Sequence, residues 1–355
     1  MVDCRRRATV GFGTLPLVWN VRYDAADAQP HSAYLPQRVC DMIIRSLAHR
    51  PKNRKSDSNP RSVRRRERHS APTVPARVRR PLLAVDGDSF AHRSYHGLPK
   101  TIRRAGDKGG GAIVGFANFL LRLYEQEKPR AVVVAWDTLD EPTYRHEAFD
   151  GYQAGREFDD ELLDQLDVLP DFVAACGFAN AKAAGYEADD FLAAASAAEE
   201  RRGGTAIVAS GDRDSFQLAT AATTIVYPVR AGEMARIGPA EVRERYGVDP
   251  KQVPDFIALR GDPSDGLPGA RGVGAKGAAS LLRTYGSLEK ALGAGRFPTQ
   301  AADLRLYQRL ATMDASAPIP ALKDQTPTWS RASALAHAWG LNQLAERLGR
   351  LAESA

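Results

Sequence analysis

The sequence predicts an α/β protein, with a parallel-type sheet covered by helices on both faces and a helical region after it. Three observations carry this. From Pro81 onward, short β-branched or apolar runs alternate with helical patterns, the signature of parallel strands joined by crossover helices. After Pro239 the signal becomes helical. Carboxylates stand just past the strand-like runs or open the helices that follow, where open α/β sheets carry their working residues.

Residues 1–80 stand apart as a leader. They lack sustained periodicity, and the stretch from Arg50 to Arg68 is polar and charged, with Pro72 and Pro75 just beyond it. Disorder is the expectation. The leader reads as inert or misassigned, as a basic arm that adds nonspecific DNA affinity, or as an Arg-rich transit peptide, which Asp24, Asp27 and Asp41 weaken. It holds 18 Lys and Arg against 6 Asp and Glu, whereas residues 81–355 hold 31 against 37. The basic pI therefore belongs to the leader. An acidic body argues against a passive nucleic-acid coat, whose affinity comes from neutralising phosphates.

The strands are expected at Leu82–Val85, Ala131–Trp136, Thr205–Ser210 and Thr224–Tyr227, with a weaker run near Phe178–Ala183. Between them, Ile113, Phe116, Leu120 and Leu123 share a helical face. So do Leu162, Leu166, Leu169, Val173 and Cys176, with a kink or break expected at Pro170. Val253–Arg260 and Ala275–Thr284 are helical and flank a loop containing the Gly-rich run 269–277. Residues 301–355 read as further helices, for example Leu335 to Leu351, without legible chemistry. No apolar run reaches the roughly 18 residues of a membrane helix. Cys4, Cys40 and Cys176 are scattered, with neither metal-ligand spacing nor a disulfide framework, which fits a reducing compartment.

The acidic set is the main chemical signal. Asp86, Asp137 and Asp212 each follow a strand; Glu187, Asp189 and Asp190 open a helix; Asp214, Asp262 and Asp265 lie close by in sequence. Carboxylates gathered this closely repel one another and ionise together only around a cation. With no His or Cys in the set, the ligands are hard oxygens suited to Mg²⁺ or Mn²⁺. Any single Asp-x-Asp is more simply a helix cap, but the full arrangement is not.

Several motifs occur in one order: Leu83-Ala84-Val85-Asp86-Gly87, Tyr95-His96-Gly97-Leu98-Pro99, Glu187-Ala188-Asp189-Asp190, Gly211-Asp212-Arg213-Asp214, Arg260 through Gly269, and Gly272-Val273-Gly274-Ala275-Lys276. Together they resemble the 5′–3′ exonuclease domain of bacterial DNA polymerase I and the related flap endonucleases, over roughly 82–300. With no room for a polymerase domain, a stand-alone bacterial member is expected.

The resemblance implies a PIN-like core over 81–240, with an arch segment at about 138–160. It further implies a helix–three-turn–helix DNA-binding region over 241–300 and C-terminal helices over 301–355. Asp86, Asp137, Glu187 and Asp189 match a first metal site; Asp189, Asp212, Asp214 and Asp265 match a second; Asp190 and Asp262 match further acidic positions, in an outer shell or acting through water. Two such ions, roughly 3.5–4 Å apart, can activate a water and stabilise a leaving oxygen.

The implied DNA contacts are Arg93 and Tyr95 near the active site, and Tyr144, Arg145, Tyr152 and Arg156 in the arch. The Gly-rich turn adds Arg271, Gly272, Gly274 and Lys276, with K⁺ as a possible companion ion. His146 is a further stacking candidate, and His92 and His96 suit packing better than acid–base work.

The implied activity is metal-dependent hydrolysis near 5′ ends of flapped, nicked or gapped DNA, and of RNA primers or RNA–DNA hybrid, in replication and repair. A monomer in the cytoplasm, at the nucleoid, is expected, with no membrane contact and with a polymerase or sliding clamp as partner. Two other readings stay open: a PIN-type ribonuclease, and a catalytically inactive DNA-binding module.

One departure stands out. The family's arch usually has Lys after its tyrosine, and here that position is Gln153. A cation able to neutralise transition-state charge is thus absent there, unless Arg156 compensates. A Gln153→Lys variant is expected to cleave faster in a single turnover, by up to about 10²-fold; an unchanged rate would count against this reasoning.

Overall fold

The computed structural model describes residues 80–139, 141–155, 157–229 and 232–354. The expectations for residues 1–79, Cys4 and Cys40 among them, and for Arg156 lie outside the described residues.

The sheet is built on β1 (Leu82–Asp86). To one side lie β4 (Ala131–Ala135) and β5 (Ala179–Ala181), and to the other β6 (Ala206–Ala209), β7 (Thr223–Pro228) and β8 (Met234–Ile237), in the order β5-β4-β1-β6-β7-β8. All neighbours are parallel except β7 and β8. In register, Leu82 faces both Ala131 and Ala206, and Val85 faces both Val134 and Ala209. A two-stranded ribbon, β2 (Arg103–Arg104) with β3 (Lys108–Gly109), stands outside this sheet.

The predicted strands are all present, because strands buried on both faces must be apolar throughout. Alternation still decides which face each residue serves. Leu83, Val85, Val132, Val134 and Ile207 pack into one core with α1 (Gly87–Gly97), α2 (Gly111–Glu127) and α4 (Asp160–Ala175). Leu82, Ala84, Val133, Ala206 and Val208 pack into the other, with α5 (Ala188–Arg201). Ile113, Phe116, Leu120 and Leu123 are buried as their spacing requires.

Of the kink or break expected at Pro170, the break is corrected: α4 runs through it. Leu162, Leu166, Leu169, Phe172 and Val173 are all buried along this helix, and their packing outweighs the lost N–H. The sequence pattern also missed β2, β3 and β8. α3 (Tyr144–Ala148) is the short helix of the expected arch.

Beyond β8 the chain is helical: α6 (Pro239–Tyr246), α7 (Val253–Arg260), α8 (Ala275–Tyr285), α9 (Leu288–Gly293) and α10 (Ala301–Ala311). Leu259, Leu282 and Leu304 extend the core that α5 covers. The last helices, α11 (Trp329–Ala338) and α12 (Asn342–Glu353), return to the opposite face, where Trp329, Ala336 and Leu348 join the core of α2 and α4. No helix among the described residues is long and apolar enough to cross a membrane.

Phe116 is fully buried between α2 and the sheet, with its ring 5.6 Å from that of Trp136. Phe116→Ala should lower unfolding free energy by about 3–5 kcal/mol in a urea titration. A cost below about 1 kcal/mol would contradict this packing.

Candidate metal centre

The strand order reverses direction at β1, the place where open α/β sheets carry their sites, at the carboxyl ends of the strands. Asp86 ends β1, Asp137 lies two residues past β4, and Asp212 lies three past β6. The start of α5 adds Glu187 and Asp189 from the same edge. The loop after α7 brings Asp265.

Each carboxylate is anchored by its own local structure. Asp86 caps α1, accepting from the Ser89 N–H at 2.9 Å and the Ser210 hydroxyl at 2.8 Å. Asp137 accepts from the Ala188 N–H at 2.7 Å, at the first turn of α5. Glu187 accepts from the Thr143 hydroxyl at 3.0 Å and the Tyr152 hydroxyl at 3.0 Å. Asp212 accepts from the Asp214 N–H at 2.9 Å. Asp265 accepts from the Gln153 amide at 3.1 Å.

The loop that carries Asp265 depends on two glycines. Gly261 (φ +85°) and Gly269 (φ +75°) lie back to back; a Cβ on Gly269 would stand 2.4 Å from the Gly261 nitrogen. Only glycine fits such an approach in the left-handed region. Between them, Asp262 and Leu267 exchange two backbone hydrogen bonds of 2.8 Å.

Burial and mutual repulsion act on the whole group. Burial, then the Asp137 and Asp212 charges, pushes Asp86 up to about 7. Burial, then Asp137, pushes Glu187 up to about 7 against the pull of Arg145. Burial and Asp212 raise Asp265 to about 6. Asp189 is held well above the usual range by burial and by Asp212, Asp86, Asp137 and Asp214. Asp214 is raised by burial, Asp212, Asp265 and Asp262. Residues from five segments thus share one field.

That field fits a hard divalent cation. Oδ1 of Asp189 is buried without a hydrogen-bond partner, which is costly unless a positive group satisfies it. Among the described residues no group of three or more His, Cys, Asp or Glu side chains is drawn together tightly enough to hold a metal ion by direct contacts alone. Mg²⁺ does not need one, since it keeps several waters and takes few direct carboxylates.

Some expected roles are corrected. Asp190 keeps only the outer-shell reading: it is fully buried, and both its oxygens accept from Arg145 at 2.8 Å. Asp262 is held by Arg260 at 2.8 Å and by the Ser264 N–H at 2.9 Å and hydroxyl, so it shapes the loop. Arg145, Tyr152 and Tyr95 are buried, so they do not present a surface to DNA. Tyr95 donates to Glu161 at 3.4 Å, and Tyr152 to Glu187.

Arg93 is half-buried and donates to the Gly211 carbonyl at 2.9 Å, beside the site. Tyr144 is half-buried and donates to Asp190 at 3.3 Å. The His92 ring lies 5.2 Å from Phe158 and 6.5 Å from His96. His146 caps α3, its Nδ1 2.8 Å from the Thr143 hydroxyl. Arg271, Gly272, Gly274 and Lys276 are exposed. They surround or adjoin a groove of 540 Å³ that Gln300, Asp303 and Tyr307 also line. No side chain caps the first turn of α8 above it.

Asp88 escaped the sequence reading. It is buried, accepts from the Asp137 N–H at 2.7 Å, and is raised by burial, Asp137 and Asp86. Its only signal was its place two residues after Asp86.

Asp86 and Glu187 titrate at about 7 when folded, against ordinary values of 3.8 and 4.5. The folded chain therefore binds more protons across that window, and stability falls as pH rises through it. Without divalent ions, Tm should be lower at about pH 7.5 than at about pH 5. Mn²⁺ should raise Tm more at the higher pH, where the carboxylates are ionised; a Tm indifferent to Mn²⁺ at both would exclude a metal centre.

Residues 81–247 match the family model described as 5′-3′ exonuclease, N-terminal resolvase-like domain, and residues 248–333 match 5′-3′ exonuclease, C-terminal SAM fold. DNA polymerase I of Mycobacterium leprae is 39% identical over 211 residues, 59% of this chain and 23% of that protein. DNA polymerase I of Bacillus subtilis is 34% identical over 293 residues, 76% of this chain and 32% of that protein. The chain thus spans less than a third of these relatives. A solved bacteriophage T5 flap endonuclease, in a pseudo-enzyme-product complex with DNA and metal ions, is similar in fold at TM-score 0.55 and 18% identity, covering 77% of this chain and 100% of that one.

Proposed function

The chain belongs to the 5′–3′ exonuclease family, and from that premise we propose that it is a structure-specific, metal-dependent 5′ nuclease. Its substrates are 5′ flaps, nicks and gaps in DNA, and RNA primers, in replication and repair. The observation that carries the reading is the convergence of carboxylates from three strand ends and the start of α5, with the buried Asp189 Oδ1 left for a cation. The names of the relatives, DNA polymerase I and flap endonuclease, support it.

Asp86, Asp137, Glu187 and Asp189 would hold one Mg²⁺ or Mn²⁺ ion, and Asp189, Asp212, Asp214 and Asp265 would hold a second. Bound there, such ions supply a nucleophilic water and stabilise the leaving oxygen of a phosphodiester. The protein's own groups orient and hold. Thr143 and Tyr152 fix the Glu187 carboxylate. Asp88 fixes the backbone of Asp137. Gln153 fixes Asp265 as a neutral donor, where a lysine would also carry charge.

Core (81–240) and helical region (241–300) divide the work. Arg271 and Lys276 take duplex phosphates at the exposed turn, with the uncapped first turn of α8 offering N–H groups beside them; a monovalent ion such as K⁺ fits the same turn. The enzyme acts in the cytoplasm as a monomer, with RNA–DNA hybrid as a further substrate and a polymerase or sliding clamp as partner.

Asp212→Asn keeps an acceptor for the Asp214 N–H and removes one charge. It should lower cleavage of a labelled 5′-flap duplex in Mg²⁺ by on the order of 10²-fold or more while the flap still binds. Cleavage at the wild-type rate would sink the assignment.

A further inference from the structure

Arg145 stands on α3, beside the carboxylates, yet it is only 2% exposed. Its Nε donates to the Leu310 carbonyl at 2.8 Å. Nη1 and Nη2 donate to the two oxygens of Asp190, each at 2.8 Å, and Nη2 also reaches the Thr312 carbonyl at 3.4 Å. Nη1 lies 3.3 Å from Oε2 of Glu187.

Asp190 is saturated in turn. It is 0% exposed and accepts from the backbone N–H groups of Glu187 at 3.1 Å and Asp314 at 2.8 Å, and from the Tyr144 hydroxyl at 3.3 Å. Three segments therefore meet at one buried pair: α3, the start of α5, and the chain leaving α10. A forked guanidinium–carboxylate pair with all its bonds directed has one geometry, and removing either partner leaves the other charge buried and uncompensated.

We infer that Arg145 is a positioning residue: directly and through Asp190, it holds Glu187 in the place and orientation that a divalent ion requires, and ties α3 to that carboxylate. The inference rests on the nuclease reading, which makes Glu187 a metal-holding group. A phosphate contact is the rival role for this arginine. It would require Arg145 to leave Asp190, Glu187 and two carbonyls for an exposed anion. Lysine cannot substitute, because a point charge lacks the planar fork that grips both oxygens at once.

The test uses the full chain with Arg145→Lys and, separately, Asp190→Asn, which keeps nearly the same volume should the first variant fail to fold. Mn²⁺ binding is measured by titration calorimetry without DNA. Binding of a 5′-flap duplex in EDTA is measured across a salt series. Both variants should lose Mn²⁺ affinity by roughly tenfold or more, the scale seen when groups that orient a ligand are removed. Flap affinity and its salt slope should not change.

Wild-type Mn²⁺ affinity in the variants overturns the inference. A salt slope reduced by about one in an Arg145→Gln variant, which removes the charge that Arg145→Lys keeps, with Mn²⁺ affinity intact, would make Arg145 a phosphate contact instead. A wild-type chain that neither binds Mn²⁺ nor cleaves flaps would sink the nuclease reading itself. A competent wild type with unaffected variants removes only the role of Arg145.

Discussion

Burial of like charge is the constraint on which this structure turns. Asp86, Asp189 and Asp214 are each raised by burial and by one another's neighbours. A fold can carry that load only if each carboxylate is tethered from outside the cluster. Here the tethers are helix starts and turns: the Ser89 N–H for Asp86, the Ala188 N–H for Asp137, the Asp214 N–H for Asp212. The positive ends of α1 and α5 face the same edge and moderate the repulsion. The parallel sheet supplies the geometry, since β4, β1 and β6 are neighbours that end at one edge, where the reversal of strand order sends the crossovers to opposite faces.

Much of this was legible in the residues. Strands buried on both faces must be uniformly apolar, so Ala131–Ala135 and Ala206–Ala209 announce themselves. The carboxylates were legible because their type and placement serve no packing purpose. β8 was not: Met-Ala-Arg-Ile at the sheet's edge has neither a continuous apolar run nor clean alternation. The course of α4 through Pro170 was illegible because propensity is local, whereas the packing that overrides it is not.

The misassigned side chains show a different limit. Arg145 and Tyr152 lie in a polar, aromatic stretch that reads as a surface for nucleic acid. Whether a side chain points outward or into an ion pair depends on partners far along the chain. The partners of Arg145 include the carbonyls of Leu310 and Thr312, and a backbone carbonyl has no sequence signature. The partners of Asp190 and Asp262 were illegible for the same reason: one carboxylate looks like another in sequence until the cation beside it is located in space. Gln153 was legible as a departure from the family pattern. Its hydrogen bond to Asp265 shows that the position remains in contact with the centre after losing its charge.

The central place of β1 has a consequence for how the chain acquires its form. Leu82 pairs with Ala131 on one side and Ala206 on the other. The first strand among the described residues can therefore pair with β4 early but waits for β6 until most of the sheet has followed. Such distant pairing is slow, because loop closure must precede any reward from contact. The carboxylates carried by β1, β4 and β6 come together only when β6 docks beside β1.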